Sequence, residues 1–345
     1  MSPIIVILAV LLTTRHCITA MLTRSNSFNE NDELFGEMGM EYDVDDDDQV
    51  ALQNSESIHG LKPFKDIDEG LTWFQHTLQT LRNLSNRQDG KFLNLWHQLI
   101  CNTKRLVLNT DYSGLGMPEI ASYDVCKALR GMGEDANVVH WRASDISPKC
   151  RNILKTGCCQ SRHVFGDLFS SRIGMRTRAF LRNAYKELEE SLRQSGQSES
   201  LYEQLGQKFM EKVVARMQTI QFKPDASGWC YKCDRVCQFK YNSDTQSTDD
   251  EPSIIVNVAG TTCTSWSTMG SGHHWTAWSA VIFVVWAFAT LAEEPHIILH
   301  ECTAAFDESW LHTIFGAYYI VQSMMITPDD DLGYPSSRRR TQIEI

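Results

Sequence analysis

From Arg105 onward, short continuous apolar runs alternate with stretches of helical spacing. "RLVLN" (Arg105–Asn109) reads as a strand buried on both faces, ended by the small-residue turn "TDYSGLG". "ASYDVCKALRGMG" (Ala121–Gly133) has helical periodicity and a glycine stop. "NVVHWRAS" (Asn137–Ser144) and the shorter "HVFGDLF" (His163–Phe169) are the next strands. "SIIVNVAG" (Ser253–Gly260), "HIILHEC" (His296–Cys302) and "YYIVQSMMI" (Tyr318–Ile326) complete the series. Continuous apolar strands separated by helices predict an α/β fold with a doubly wound, mostly parallel sheet.

One interval breaks this rhythm. More than eighty residues separate Phe169 from Ser253. They contain two charged amphipathic helices, "MRTRAFLRNAYKELEESL" and "LYEQLGQKFMEKVVARMQTI", then "WCYKCDRVC" and the polar run "NSDTQSTDDEPS". This predicts a helical insertion over about 170–252, between the third and fourth strands. Upstream, Leu71–Leu84 and Phe92–Cys101 also have helical spacing. The organisation expected is an apolar segment over 1–24, an acidic linker over 25–62, and one domain over 63–345.

Two apolar stretches raise the question of a membrane. Met1–Ala20 contains "IIVILAVLLTT", of signal-peptide length but with no basic residue before it. A secretory or organellar signal and an upstream extension without a targeting role both fit. Trp275–Ala292 is eighteen residues without a charge, just long enough to span a bilayer. It lies between two buried strands and runs from a histidine pair into Glu293 and Glu294. The reading adopted is a helix packed under the sheet, with no membrane partner.

Charge adds little. The formal net charge of -11 is local, because eleven acids and no Lys or Arg lie between Ser27 and Leu61. That run is expected to be a solvated linker, and it argues against contact with nucleic acid only for itself. Eleven cysteines without even spacing do not form a secreted disulfide framework. Cys230, Cys233 and Cys237 offer three ligands of a zinc site, which Cys158, Cys159 or His163 would complete. The reading adopted here is a reduced cysteine hairpin with no metal.

In a doubly wound sheet, ligands sit beyond the carboxyl ends of the strands. The turn Tyr112–Gly116 lets backbone approach a ligand and opens a helix whose first amides favour an anion. Asp145, at the end of the second strand, is placed to accept from a ribose hydroxyl. Asp167, at the end of the third, is placed to accept from an adenine amino group. Each acid also suits a helix N-cap. Together the three strand ends suggest an adenosyl-containing ligand. Cys263 follows the fourth strand in a polar turn, where a thiol near a helix start is activated. Glu301 ends the next strand and enters the same crevice, placed to donate a proton.

The order of these features resembles the cytosine-5 DNA methyltransferases. "YSGLG" (Tyr112, Ser113, Gly114, Leu115, Gly116) is similar to that family's S-adenosylmethionine loop. "SDIS", with Asp145 and Ile146, resembles its ribose site, and "FGDL", with Asp167 and Leu168, its adenine site. "GTTCTSWS" resembles the nucleophile loop, "HECT" the E-N-V tripeptide, and "GYPSSRRRT" the G-x-P-Q-x-R-x-R segment. The resemblance covers roughly Arg105–Ile345 and implies a class I methyltransferase fold. It implies S-adenosylmethionine as cofactor and DNA as substrate, with RNA as the variant substrate and a nuclear or intracellular location. Cys263 would attack carbon 6 of cytosine, Glu301 would contact ring nitrogen 3, and Arg338 and Arg340 would hold the target nucleotide or the nucleophile loop.

Several positions depart from the family pattern. Thr110 stands where the first-strand Asp is usual, with Asp111 one place later. Thr262 and Thr264 replace the Pro and Gln that flank the nucleophile, Met117 the last glycine of the first loop, and Cys302 the Asn of E-N-V. The sequence ends about where a seventh strand is expected, before any target-recognition region. A degenerate, non-catalytic domain that binds cofactor or a partner is therefore the competing expectation.

Overall fold

The computed structural model describes residues 105–326, with short breaks at 158–159, 196–198, 221, 242–252 and 268–269, together with Arg340–Glu344 and position 79. The signal-like segment, the acidic linker and most of the upstream helical spacing lie outside the described residues.

Among those residues, seven strands form one sheet in the order β3–β2–β1–β6–β7–β9–β8. These are β1 (Arg105–Asp111), β2 (Val138–Ser144), β3 (His163–Phe165), β6 (Ser253–Gly260), β7 (Ile297–Thr303), β8 (Gln322–Ile326) and β9 (Arg340–Glu344). The first five pair in parallel, and β9 runs antiparallel between β7 and β8. This is the doubly wound, mostly parallel α/β sheet expected from the sequence. It carries the seventh strand within its last six residues.

The strand interiors explain themselves. Val107 and Leu108 are buried apolar residues, as a strand covered on both faces requires. Asn109, Thr110 and Asp111 are buried too, so each must find polar partners.

Helix boundaries follow capping chemistry. α1 (Met117–Gly131) starts earlier than its periodicity indicated, because Pro118 and Glu119 suit a first turn. α2 (Pro148–Thr156) is capped by Ser147, whose Oγ accepts from the Cys150 amide. The third strand is shorter than expected. It stops at Phe165 because Asp167 caps α3 (Leu168–Ser171), accepting from the amides of Phe169 and Ser170. The strand expected over Tyr318–Ile326 begins only at Gln322.

Between β3 and β6 lie α4 (Met175–Ser195), α5 (Glu199–Thr219) and an antiparallel hairpin of β4 (Ser227–Cys230) and β5 (Arg235–Gln238). The long apolar stretch forms α6 (Trp278–Glu293), buried along most of its length. α7 (Ser309–Phe315) follows β7. Among the described residues, no helix is long and apolar enough to cross a membrane. α6 shares one core cluster with Leu181, Ala184 and Leu188 of α4, Phe209, Met210 and Val213 of α5, and Leu311 and Phe315 of α7. Full burial of each large side chain is worth roughly 1.5–3 kcal/mol, which is enough to hold the two insertion helices against the sheet.

Candidate active site

Because β1, β2, β3, β6 and β7 are parallel, their carboxyl ends share one edge of the sheet. The turn after β1 is tightly wound there: Tyr112, Gly114 and Gly116 all have positive φ, at 57°, 55° and 79°. Such angles strain a side-chain-bearing residue, and Tyr112 keeps its own because its neighbours fix it. The Ser113 amide donates to Ser144 O at 3.1 Å, and the Gly116 amide to Ser113 O at 2.9 Å. The Ser113 hydroxyl meets Thr110 Oγ1 at 2.7 Å and accepts from the Ser144 amide at 3.1 Å.

A Cβ placed on Gly114 would meet nothing within 4 Å, so the turn faces open space. α1 has no side-chain N-cap, which leaves its amino end suited to a ligand carboxylate. Ile146 is 72% exposed beside Asp145, an apolar surface at the end of β2. Leu115 is half-exposed in the turn, whereas Leu168 is buried in the core cluster behind the crevice. An open glycine turn, a helix amino end without a side-chain cap, an exposed aliphatic side chain and two carboxylates just beyond β2 and β3 are the kinds of group that an adenosyl amino acid would use.

Both acids also work for the fold. Asp145 Oδ2 accepts from the Gly114 amide at 2.8 Å, and its Oδ1 from the Ser147 amide at 2.8 Å. The two oxygens of Asp167 accept the α3 amides at 3.1 Å each. Tyr112 is close enough to Asp167 to feel its charge. Burial, then Asp111, then Asp167 hold the phenol well above its ordinary range.

The turn after β1 and the loop after β6 meet. Tyr112, Thr261, Thr262, Trp266, Ser279 and Phe283 are among the residues that line one small cleft. Cys263 opens a 3-10 turn, Cys263–Ser265, immediately after that lining. Thr261 fixes the loop base: its Oγ1 lies 2.8 Å from His300 Nε2 on β7. Burial drives the His300 pKa down to about 3, so this imidazole is neutral at physiological pH. Glu301 is half-buried and pairs in register with Gly260, where a Cβ would come 3.4 Å from Glu301 Oε2. Arg340 begins β9 opposite Thr303, two positions along β7 from Glu301. Arg338 lies outside the described residues.

Two arrangements were not read from the sequence, and a third selects among the fourth-ligand candidates that it offered. Asp111 points away from Thr110 into a buried network: Arg142 donates to it at 2.6 Å and 3.1 Å, and Asn257 at 3.1 Å. Arg142 also donates to Glu293 at 2.8 Å, and Arg172 pairs with the same carboxylate. This explains the displaced first-strand acid, since Asp111 serves the core. A lone arginine within an apolar strand was the signal for it. Second, Glu119 is buried beneath the turn and accepts from Thr110 and Ser161. Burial outweighs those bonds and raises its pKa to about 7. Third, His163 joins Cys230, Cys233 and Cys237, with one ligand atom of each within 4.8 Å of the others. Burial pushes the Cys230 thiol up, but the His163 contact and the neighbouring amides outweigh it and bring it down to about 6. Cys158 and Cys159, the other candidates for that position, lie outside the described residues.

No family model and no curated protein matches the chain. Among solved structures, it is similar to an E. coli protein assigned as a DNA modification methyltransferase encoded within a prophage. The identity is 10% and the TM-score 0.32, with 69% of this chain and 46% of that chain covered. The chain thus spans less than half the length of that protein.

Proposed function

We propose that this chain is an S-adenosylmethionine-dependent methyltransferase that methylates carbon 5 of cytosine in DNA through a covalent adduct on Cys263. The observation that carries this reading is the shared cleft. Tyr112 of the turn after β1 and Thr261 and Thr262 of the loop after β6 line one recess. It lies at the sheet edge where Asp145 and Asp167 follow β2 and β3 and Glu301 lies near the end of β7.

Tyr112–Gly116, Asp145 with Ile146, and Asp167 would hold the cofactor, whose sulfonium supplies an electrophilic methyl group when bound. Cys263 Sγ, as the thiolate, adds to carbon 6 of the flipped cytosine. Glu301 contacts ring nitrogen 3 and offsets the charge that gathers there. Carbon 5 thereby becomes nucleophilic, and would take the methyl group of a bound sulfonium, whose S–CH3 bond would break to leave neutral S-adenosylhomocysteine. Loss of the carbon 5 proton to solvent or a base then breaks the carbon 6–sulfur bond and returns the thiolate. Arg338 and Arg340 belong, by resemblance, to the nucleotide-binding side of this crevice.

A second reading, a domain that binds a cofactor or a partner without catalysis, is favoured by one observation. Asp145 and Asp167 already spend their carboxylates on backbone amides. The experiment that separates the two offers single- and double-stranded oligonucleotides, DNA and RNA, containing 5-fluorocytosine. With S-adenosylmethionine present, wild type is expected to form a denaturation-resistant adduct on DNA, and Cys263→Ala none. Adduct on RNA alone moves the substrate class. No adduct on any oligonucleotide, with cofactor binding intact by calorimetry, supports the second reading.

A further inference from the structure

The β4–β5 hairpin docks onto the edge of β3 through its own backbone. The Tyr231 amide donates to Val164 O at 2.7 Å, and the Val164 amide points at Cys230 Sγ at 3.4 Å. Cys230 ends β4, Cys237 lies in β5, and Cys233 sits in the turn that joins them. Asp234 takes a left-handed φ of 53° there, and its amide donates to Cys230 O at 2.9 Å. This tight turn folds Cys233 back, so that its amide also points at Cys230 Sγ at 3.4 Å. A sulfur that accepts two amides is stabilised as a thiolate.

His163, the first residue of β3, supplies the fourth side. Its Nδ1 is 3.8 Å from Cys230 Sγ and 3.5 Å from Cys233 Sγ. A tetrahedral zinc ion with bonds of about 2.3 Å to sulfur and about 2.0–2.1 Å to nitrogen sets its ligand atoms roughly 3.5–3.8 Å apart. The His163 ring is held edge-on by Trp141 at 4.6 Å, and Trp141 is pinned by its Nε1 donating to Phe239 O at 2.9 Å. Phe165 and Phe239 pack with Cys230 and Cys237, which keeps water from two of the sulfurs. Lys232 Nζ, anchored on Ser161 O at 2.7 Å, brings a positive charge beside the thiolates. A histidine held by its neighbours, apolar packing and a nearby cation are the supporting features that metal sites carry around their ligands.

We propose that His163 Nδ1 and the thiolates of Cys230, Cys233 and Cys237 bind one Zn²⁺ in a closed, structural, tetrahedral site that locks the insertion hairpin to β3. Binding releases the remaining thiol protons to solvent, and no redox step is involved. The inference does not depend on the methyltransferase reading. Its reach extends toward the candidate cofactor site nonetheless. Tyr231, next to Cys230, packs so closely on Gly166 that a Cβ there would lie 3.0 Å from the ring, and Arg151 covers the same ring at 4.2 Å. The metal would therefore hold the loop that carries Asp167.

The test measures zinc in the full chain purified without added metal, and the visible spectrum after exchange with Co²⁺. One zinc per chain and the d–d bands of a tetrahedral, thiolate-rich cobalt site are expected. Cys233→Ser and Cys237→Ser should each lose most of the zinc. His163→Cys should keep it, and Cys126→Ser, a buried cysteine elsewhere, should not change it. A folded wild-type chain with no zinc and no cobalt bands overturns the proposal. So does a disulfide among the three cysteines, seen as a loss of two hydrogens per chain by mass spectrometry. Should the serine variants fail to fold, the wild-type cobalt spectrum decides, since octahedral or thiolate-poor bands equally overturn the site.

Discussion

The Gly114 amide and the Asp145 carboxylate are joined by a 2.8 Å hydrogen bond across the mouth of the β1–β2 pair. The other oxygen of Asp145 accepts the Ser147 amide at the head of α2. One side chain thus sets the spacing between the glycine turn and the start of the next helix. Both flank the space that the proposed function gives to the cofactor's nucleoside.

Asp145→Ala is therefore expected to weaken S-adenosylmethionine binding by about tenfold or more, since a hydrogen bond to a charged group is worth about 1.5–3 kcal/mol. Asp145→Asn keeps an acceptor and should fall between. Isothermal titration calorimetry reads both. Unchanged affinity in the alanine variant would remove Asp145 from the cofactor site.

Glu301→Gln is expected to slow adduct formation on 5-fluorocytosine DNA by roughly 10²–10⁴-fold, the usual range for a positioned acid. DNA and cofactor affinity should stay near wild type. A rate equal to wild type in single-turnover trapping would show that Glu301 does not reach the base.

Glu119 gives the stability a pH dependence. Its carboxyl titrates at about 7 in the folded chain against an ordinary 4.5. An acid with a raised folded pKa binds more protons folded than unfolded between those values, so stability falls as pH rises from about 4.5 to about 7 and then levels. The loss is on the order of 3 kcal/mol for a shift of this size. Glu119→Gln should flatten that part of the curve and raise the melting temperature at pH 8. An equal pH slope in the variant, followed by thermal denaturation, would assign the dependence to another group.

Arg142→Leu should destabilise the fold by about 3–5 kcal/mol, because it strands Asp111 and shares out Arg172 alone to Glu293. Urea denaturation measures it. A double change that also replaces Asp111 by Asn should recover part of the loss.

The sequence pattern was most legible in the central strands. The strand Ser253–Gly260 matches its expected limits: it lies between β1 and β7, and Val256–Ala259 are buried. It was least legible where polar side chains decide. The third strand and α3 were merged because "HVFGDLF" is apolar on both sides of Asp167, and only its capping bonds separate them. β9 falls where a seventh strand was expected, but "RTQIE" has no apolar run to mark its limits; pairing with β7 and β8 sets its place. Long-range partners were invisible for a plainer reason. Glu293 lies 151 positions from Arg142, and no spacing rule joins them. Spacing identifies C-x-x-C and leaves His163 among three candidates for the fourth position; topology, which brings β3 beside the hairpin, places it there. Conversely, Tyr112, Asp145, Asp167, Cys263 and Glu301 could be placed near one edge from the sequence, because strand ends in a parallel sheet share an edge and position along the chain translates into position in space.

The insertion between β3 and β6 precedes α6 in the chain, yet its helices pack in the same core cluster as that apolar helix. A chain emerging amino end first therefore makes the cover before the surface that needs covering. Synthesis from the amino end makes α4 and α5 available before α6, and α7, which packs in the same cluster, completes the cover afterwards. Moved downstream of α6, the same two helices would arrive too late to shield it.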